Sequence, residues 1–152
     1  MTPELTDKAK RYLEDLLSFF EVNAEVQAEA SDDTIQLAVE SESGGRLIGH
    51  RGETLAAIQH LANMMVRRQT DERVYVHVDI GGYRQARLEK LSEQAREAAA
   101  KVRDEGVEVP LAMMSPAERR HIHSALTDEP GITTESRGEG NQRRLVIKPA
   151  QE

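Results

Sequence analysis

Two short groups of residues in this sequence have the types and spacing needed to bind an anion. The first is Gly49-His50-Arg51-Gly52, in which two glycines flank two basic side chains ahead of a helical pattern. A Gly-x-x-Gly turn lets a phosphate backbone come close because no Cβ blocks it, and the amides at the start of the next helix favour a negative charge. Gly49 and Gly52 would therefore admit the backbone, and His50 and Arg51 would contact phosphate. The alternative is an ordinary corner between two helices.

The second group is Arg119 and His123, which lie four residues apart and share one face of a predicted helix. The four residues 115–118, Ser-Pro-Ala-Glu, have the form of a capping box with proline at the first helical position. Taken alone, an Arg–His pair at this spacing often belongs to a solvated helix face. Further basic residues in the same part of the chain could act as auxiliary charges: Arg120, Arg137, Arg143, Arg144 and Lys148.

Three further arginines could extend a basic rim around the glycine turn, namely Arg46, Arg67 and Arg68. Two apolar residues, Ile48 and Leu55, flank the turn. The ordinary place of such residues is the core.

The sequence gives no positive support for catalysis or for a metal site. His121 and His123 with Glu118 suggest metal ligands, but side chains two residues apart on a helix diverge and no third ligand is evident. Ser124 beside His123 does not make a nucleophile–base pair by adjacency, because that geometry comes from the fold. The glycine turn also lacks the Lys-Ser/Thr ending of a phosphate-binding P-loop. We therefore predict a protein that is not an enzyme and uses no metal or cofactor.

The overall charge at first argues against nucleic acid, because the 152 residues carry a net charge of −7 and phosphate contacts need positive charge. The surplus is unevenly spread. Residues 1–45 hold 11 acidic and 3 basic residues, whereas residues 46–152 hold 16 and 17. Both anion-binding candidates thus lie in the balanced part. Aromatic residues make up only 3%, which argues against base stacking on an aromatic sheet.

The chain has no cysteine, so disulfides and thiolate zinc sites are excluded. Its N-terminus lacks the apolar core of a signal peptide, and no apolar run approaches the ~20 residues of a membrane span. We therefore expect a cytoplasmic protein with no membrane partner.

Helical and alternating patterns follow one another along the chain. Thr2-Pro3-Glu4 predicts a helix start, with a capping hydroxyl and proline at the first position. The first 82 residues then give the order helix, strand, strand, short helix, glycine turn, helix and strand. A long helix over 83–105 follows, ended by Gly106. The last third predicts an extended segment, a helix to Leu126 and two strands, so we predict an α+β protein of two small units.

The first 82 residues resemble a type II KH domain, with the order αββααβ and a Gly-x-x-Gly loop that clamps single-stranded backbone. The stretch GGRLIGHRGETLAAIQHLANMMVRR is similar to the core of that motif, and Ile48 stands directly before the loop. The resemblance implies that Ile48 and Leu55 line an apolar groove under the bases, and a place in the core is the alternative. Residues 107–149 resemble the R-three-H domain, which is named for an Arg and a His separated by three residues. Arg119 and His123 fall on those positions. Residues 83–106 would be the connecting long helix.

The combined order resembles the bacterial Jag (KhpB, SpoIIIJ-associated) family of RNA-binding proteins. Many members carry a further N-terminal Jag domain and a long linker, and we expect this chain to lack both. The resemblance implies non-catalytic binding of single-stranded RNA, with single-stranded DNA also open, by a post-transcriptional regulator or RNA chaperone. It also allows a homodimer, or a heterodimer with another small KH-domain protein. The alternative is a protein-interaction adaptor associated with ribosome maturation or a partner KH protein, in which the acidic first 45 residues face a basic protein.

Overall fold

The structure is a computed structural model that describes residues 3–150. The chain divides into two compact units, with the boundary between Arg84 and Gln85. The predicted capping hydroxyl of Thr2 lies outside the described residues. Both units contain helices and strands, so the predicted α+β class is confirmed. Within residues 3–150, no helix is both long and apolar enough to cross a membrane.

The first unit has the predicted order αββααβ. Its elements are α1 (Pro3–Ser18), β1 (Glu25–Ser31), β2 (Thr34–Glu40), α2 (Gly44–Ile48), α3 (Glu53–Arg67) and β3 (Tyr75–Ile80), with a 3-10 turn (His50–Gly52) between α2 and α3. The strands form one sheet in the order β1-β2-β3. β1 and β2 are an antiparallel hairpin, and β2 and β3 are parallel. This arrangement agrees with the expected type II KH topology.

One face of this sheet is buried under α1 and α3. Alternation along the strands turns every second residue inward, and the helices contribute rows at helical spacing. The buried set is Leu5, Ala9, Leu13, Leu17, Val26, Ile35, Leu37, Val39, Leu47, Leu55, Ile58, Ala62, Val66, Val74, Val76, Val78 and Ile80. Leu55 is only 1% exposed, so of its two predicted roles the structure supports the core one. Leu61 fits the helical pattern but is 42% exposed, because the buried row continues through Ala62 to Val66.

The second unit packs most of the long helix against a small sheet. Its elements are α4 (Tyr83–Glu105, whose first turn begins before the unit boundary), β4 (Val109–Met113), α5 (Pro116–Leu126), β5 (Ile132–Arg137) and β6 (Arg144–Pro149). The strands lie in the order β4-β6-β5, and both pairings are antiparallel. The inward face of α4 is Leu91, Ala95, Ala99 and Val102. Ala99 is buried in this face, whereas its neighbour Ala98 is only partly buried.

The capping box predicted at the start of α5 is confirmed. Ser115 Oγ accepts from the N–H of Glu118 at 3.2 Å, and the Glu118 carboxylate accepts from the N–H of Ser115 at 2.6 Å. This reciprocal pair fixes where α5 begins, and therefore which way the following residues face.

Candidate nucleic-acid interface

The glycine turn of the first unit has a backbone that only its two glycines permit. Gly49 has φ +71° and Gly52 has φ +82°, both in the region that favours glycine. A Cβ on Gly49 would lie 2.1 Å from Thr54 Oγ1, so there is also no room for a side chain. Gly52 is the residue before α3, and a Cβ there would lie 2.9 Å from Cε1 of Tyr83.

The two side chains between these glycines project into solvent. His50 and Arg51 are both exposed, and neither forms an ion pair with any residue in the described range. Arg51 itself has φ +53°, a left-handed conformation that is uncommon for a non-glycine residue. Among the described residues, no side chain caps the start of α3, where Gly52 is the N-cap. The loop therefore combines exposed positive charge with the amide end of a helix.

α2 holds the loop to the core from its other side. Leu47 is fully buried, Ile48 is partly buried and packs against the core, and Arg46 is exposed on the same short helix. Arg46 therefore lies beside the loop, as the predicted basic rim requires. Ile48 has the intermediate burial that both of its predicted roles allow.

Arg67 and Arg68 lie at the opposite end of α3 from the loop. The helix has 15 residues and is thus about 22 Å long. Both arginines are exposed, and the guanidinium of Arg67 stands 6.0 Å from the ring centroid of Tyr75. Arg73 approaches the same ring at 5.6 Å and donates to Tyr75 Oη at 2.7 Å. The structure thus forms a second basic group, Arg67 and Arg73 at the Tyr75 ring, rather than a continued loop rim.

In the second unit a cleft of about 420 Å³ opens between α5 and the β5–β6 strands. Four of the predicted basic residues meet there: Arg119, Arg120, His123 and Arg143. The remaining lining consists of Pro116, Thr134, Ser136 and Leu145. The cleft therefore offers positive charge, two hydroxyl groups and an apolar floor within one small volume.

Arg119 and His123 also connect α5 to its neighbours. Arg119 Nη1 donates to the carbonyl of Met114 at 3.0 Å and to that of Arg143 at 3.4 Å. His123 Nδ1 lies 2.5 Å from Thr134 Oγ1 on β5. Each residue therefore lines the cleft and at the same time holds its walls together.

The other predicted charges lie away from this cleft. Arg137 bonds both carboxylate oxygens of Glu108 at 2.8 and 2.9 Å and also Glu135 at 3.1 Å, and Lys148 bonds Glu135 at 2.8 Å. Arg144 is the β6 partner of Arg137 in the strand register. Since successive side chains of a strand alternate in direction, Arg143 lines the cleft while Arg144 belongs to the other face.

These ion pairs shift the ionisation of the groups involved. Hydrogen bonding to Arg137 lowers the pKa of the Glu108 carboxyl, and hydrogen bonds from Lys148 and Arg137 lower the pKa of Glu135. The same two carboxylates raise the pKa of Arg137. Arg137 and Lys148 are thus already paired with acidic groups and are less available to phosphate than the cleft arginines.

Sequence patterns did not identify Thr134 and Ser136 as lining residues. Thr134 and Ser136 lie two residues apart, so both side chains stand on one face of β5, and this spacing is visible in the sequence. Which face α5 would cover was decided only by packing. A cluster of three or more His, Cys, Asp or Glu side chains suited to a metal ion is absent from the described part of the chain.

Comparison with known proteins places both units in characterised families. The family model for the KH domain of KhpA/KhpB matches residues 6–78, and the model for the R-three-H domain matches residues 89–149. The RNA-binding protein KhpB of Bacillus subtilis is 33% identical over 142 residues, which cover 92% of this chain and 68% of that protein. This chain belongs to the KhpB family.

Other KhpB proteins are similar over almost the whole chain but are longer. The relative from Clostridium symbiosum is 32% identical over 145 residues, covering 94% of this chain and 65% of its own length. The relative from Streptococcus pneumoniae is 26% identical over 144 residues, which cover 44% of its own length. The chain therefore spans about two thirds of the Clostridium symbiosum protein and less than half of the Streptococcus pneumoniae protein.

Proposed function

We propose that this protein binds single-stranded RNA without catalysing a reaction, using the glycine loop of the first unit and the Arg119–His123 cleft of the second. The observation that carries the proposal is the glycine loop, where His50 and Arg51 are held exposed by two glycines at the start of a helix. The KhpB relatives are named RNA-binding proteins, which supports RNA as the ligand.

The loop suits the backbone of one strand. Two successive phosphates can approach the glycines closely and find the Arg51 guanidinium and the His50 imidazole together with the amide end of α3. Few aromatic side chains are present, so phosphate contacts should supply more of the affinity than stacking does. A duplex would hold its two backbones in a fixed shape that a single small corner does not match.

The cleft of the second unit suits a phosphate with its adjoining sugar. Arg120 and Arg143 supply charge, and Thr134 and Ser136 supply hydroxyl groups that both donate and accept. Hydroxyl groups close to a sugar can bond a ribose 2′-hydroxyl, which is the group that distinguishes RNA from DNA. Single-stranded DNA would then be a weaker ligand of the same cleft.

The cellular role that follows is post-transcriptional regulation or RNA chaperoning in the cytoplasm. The acidic first 45 residues would limit non-specific attraction to nucleic acid, so that binding is modest and sensitive to salt.

A protein-interaction role is the second candidate, and a specific observation favours it. Leu61 and Met64 on α3 are 42% and 49% exposed, and they lie on one helix face between the glycine loop and Arg68. Adjacent exposed apolar side chains on a helix suit a protein partner. A second copy of this chain or another small KH-domain protein would fit there, and ribosome maturation is a setting for such an adaptor.

The test replaces the loop charges while the fold is monitored. We expect His50→Asp with Arg51→Asp to weaken binding of a single-stranded RNA by about tenfold or more, since two phosphate contacts become repulsive. The matched control is Arg11→Asp with His77→Asp, which changes the same residue types at exposed positions of the same unit. Fluorescence polarisation gives the affinity, and circular dichroism confirms the fold. Equal affinity of the loop and control variants would contradict the proposal.

A Leu61→Asp variant tests the second candidate. If this variant still binds RNA but no longer self-associates, the result favours both roles together.

A further inference from the structure

The outer edge of β3 is closed by two side chains of α3. β3 is an edge strand of its sheet among the described residues, because only β2 pairs with it. The N–H of Tyr75 bonds the carbonyl of Asp33 at 2.9 Å on the β2 side. Since peptide groups alternate in direction along a strand, those of Val76 and Val78 point to the outer edge.

The amides of Gln59 and Asn63, one turn apart on α3, take up these peptide groups. Asn63 Nδ2 donates to the carbonyl of Val76 at 2.8 Å, and Asn63 Oδ1 accepts from the N–H of Val76 at 2.9 Å. Gln59 Oε1 accepts from the N–H of Val78 at 2.8 Å, and Gln59 Nε2 also donates to the carbonyl of Val76. Asn63 Nδ2 bonds the carbonyl of Gln59 at 2.9 Å as well. Both side chains are half-buried, and the amide nitrogen and oxygen of each take part in these bonds.

An open edge of this kind would be a template for other ligands. The N–H and C=O of Val76 together form a donor–acceptor pair. A peptide strand can pair with such an edge, and so can the polar edge of an unpaired nucleobase, which carries a donor next to an acceptor. The carboxamide of Asn63 has the same pairing pattern and occupies the place that either ligand would take.

The closed edge lies along the path between the two basic groups of the first unit. Gly44 of α2 adjoins Ile80 at one end of β3, since a Cβ there would be 3.5 Å from Ile80 Cγ2. Tyr75 at the other end lies under the guanidinium of Arg67. A strand of RNA that follows α3 from the glycine loop towards Arg67 would pass the Val76–Val78 edge.

We propose that Gln59 and Asn63 keep the β3 edge closed to bases, so that this unit binds RNA with little base specificity. The inference rests on the proposed binding of single-stranded RNA. A base that displaced Asn63 would gain the hydrogen bonds that the carboxamide loses, and it would leave the half-buried amide to find new partners, so the exchange brings no advantage. RNA is therefore held at the loop through its phosphates, with little regard to sequence.

Hydrogen exchange in the free protein tests the closure without RNA. We expect the amide protons of Val76 and Val78 to exchange slowly in the unchanged chain and about tenfold faster or more in Gln59→Ala with Asn63→Ala, because their acceptors are gone. The control is Gln69→Ala, an exposed amide residue just after α3. The single Asn63→Ala variant repeats the measurement at Val76 if the double variant does not fold. Unchanged exchange at Val76 overturns the inference.

Binding to oligonucleotides of a single base tests the consequence. The quantity measured is the part of the affinity for oligo-A, oligo-C and oligo-U of equal length that is lost on His50→Asp with Arg51→Asp, so the second unit does not contribute. We expect these values to agree within about threefold in the unchanged chain and to spread by about tenfold or more once the edge is opened, which corresponds to one good base contact. A spread already present in the unchanged chain and abolished by Asn63→Ala overturns the inference, as does an opened edge without any spread. No loop-dependent affinity at all contradicts the proposed function, whereas the exchange result judges the closed edge alone.

Discussion

Nε of Arg87 lies 2.5 Å from Oε1 of Glu118, the carboxylate whose other oxygen closes the capping box of α5. The two side chains are only 20% and 15% exposed, so solvent screens the pair little. The pair joins α4 to the first turn of the helix that carries Arg119 and His123. Arg87 therefore positions the cleft residues without lining the cleft.

We predict that Glu118→Ala destabilises the chain more than Arg87→Ala. The glutamate change removes both the cap and the ion pair, whereas the arginine change removes the pair alone. Their coupling energy in a double-mutant cycle should be about 1–3 kcal/mol, as for a largely buried charged hydrogen bond. Urea denaturation followed by circular dichroism gives the four free energies of unfolding. Strictly additive effects would show that the two side chains do not act together.

Gly49→Ala should destabilise the first unit by about 1–3 kcal/mol, because alanine is strained at φ +71° and its Cβ would collide with Thr54. RNA affinity should fall as well, since the loop must change shape. The matched control is Gly45→Ala in α2, where a Cβ meets nothing within 4 Å. There we expect a gain of roughly 0.5–1 kcal/mol, because alanine favours helix. Thermal unfolding of the two variants measures these changes in stability, and equal changes in the two variants would contradict the prediction.

The salt dependence of RNA binding should separate the two faces of the second unit. Arg120 lines the cleft, and within residues 3–150 its guanidinium forms a single hydrogen bond, from Nε to the carbonyl of Pro116 at 3.4 Å. Arg120→Ala should reduce the slope of log affinity against log salt by ~0.7 for each phosphate that the arginine neutralises in the unchanged chain. Arg144→Ala, on the face away from the cleft, should leave the slope unchanged. The proposed cleft is wrong if the two variants give the same slope.

The ion pairs of Arg137 should make stability depend on pH in the acidic range. Because the pKa values of Glu108 and Glu135 are lowered in the folded chain, their contribution is present above the unfolded value of about 4.3 and is lost as pH falls through the folded values. The melting temperature of the unchanged chain should therefore exceed that of Arg137→Met at neutral pH, and the difference should shrink below about pH 4. Salt should also reduce it, since the pairs are exposed. A difference that is constant with pH would count against these pairs.

Several elements were predictable because their causes are local. The capping box at Ser115, the long helix to Gly106 and the hairpin before the glycine loop each depend on neighbouring residues, and all were confirmed. The backbone conformation of Gly49 and Gly52 also has a local cause, because a positive φ favours glycine over other residues at these positions.

The grouping of distant side chains depended on tertiary structure. Charge alone put Arg137 and Arg143 in one candidate set, yet Glu108 takes up Arg137 and only Arg143 reaches the cleft. Likewise, nothing near Asn63 in the sequence announces that its amide would bond Val76, because strand edges meet helix side chains only after the sheet has formed.

By itself the sequence determined the order of elements, the glycine loop and the two basic motifs, since propensity, caps and backbone conformation act over a few residues. Only the tertiary structure decided which charges are left for a ligand and which are neutralised by partners, and that the edge of β3 is closed. Hydrogen bonds and ion pairs between residues far apart in the chain form only where packing brings them within about 3 Å of each other.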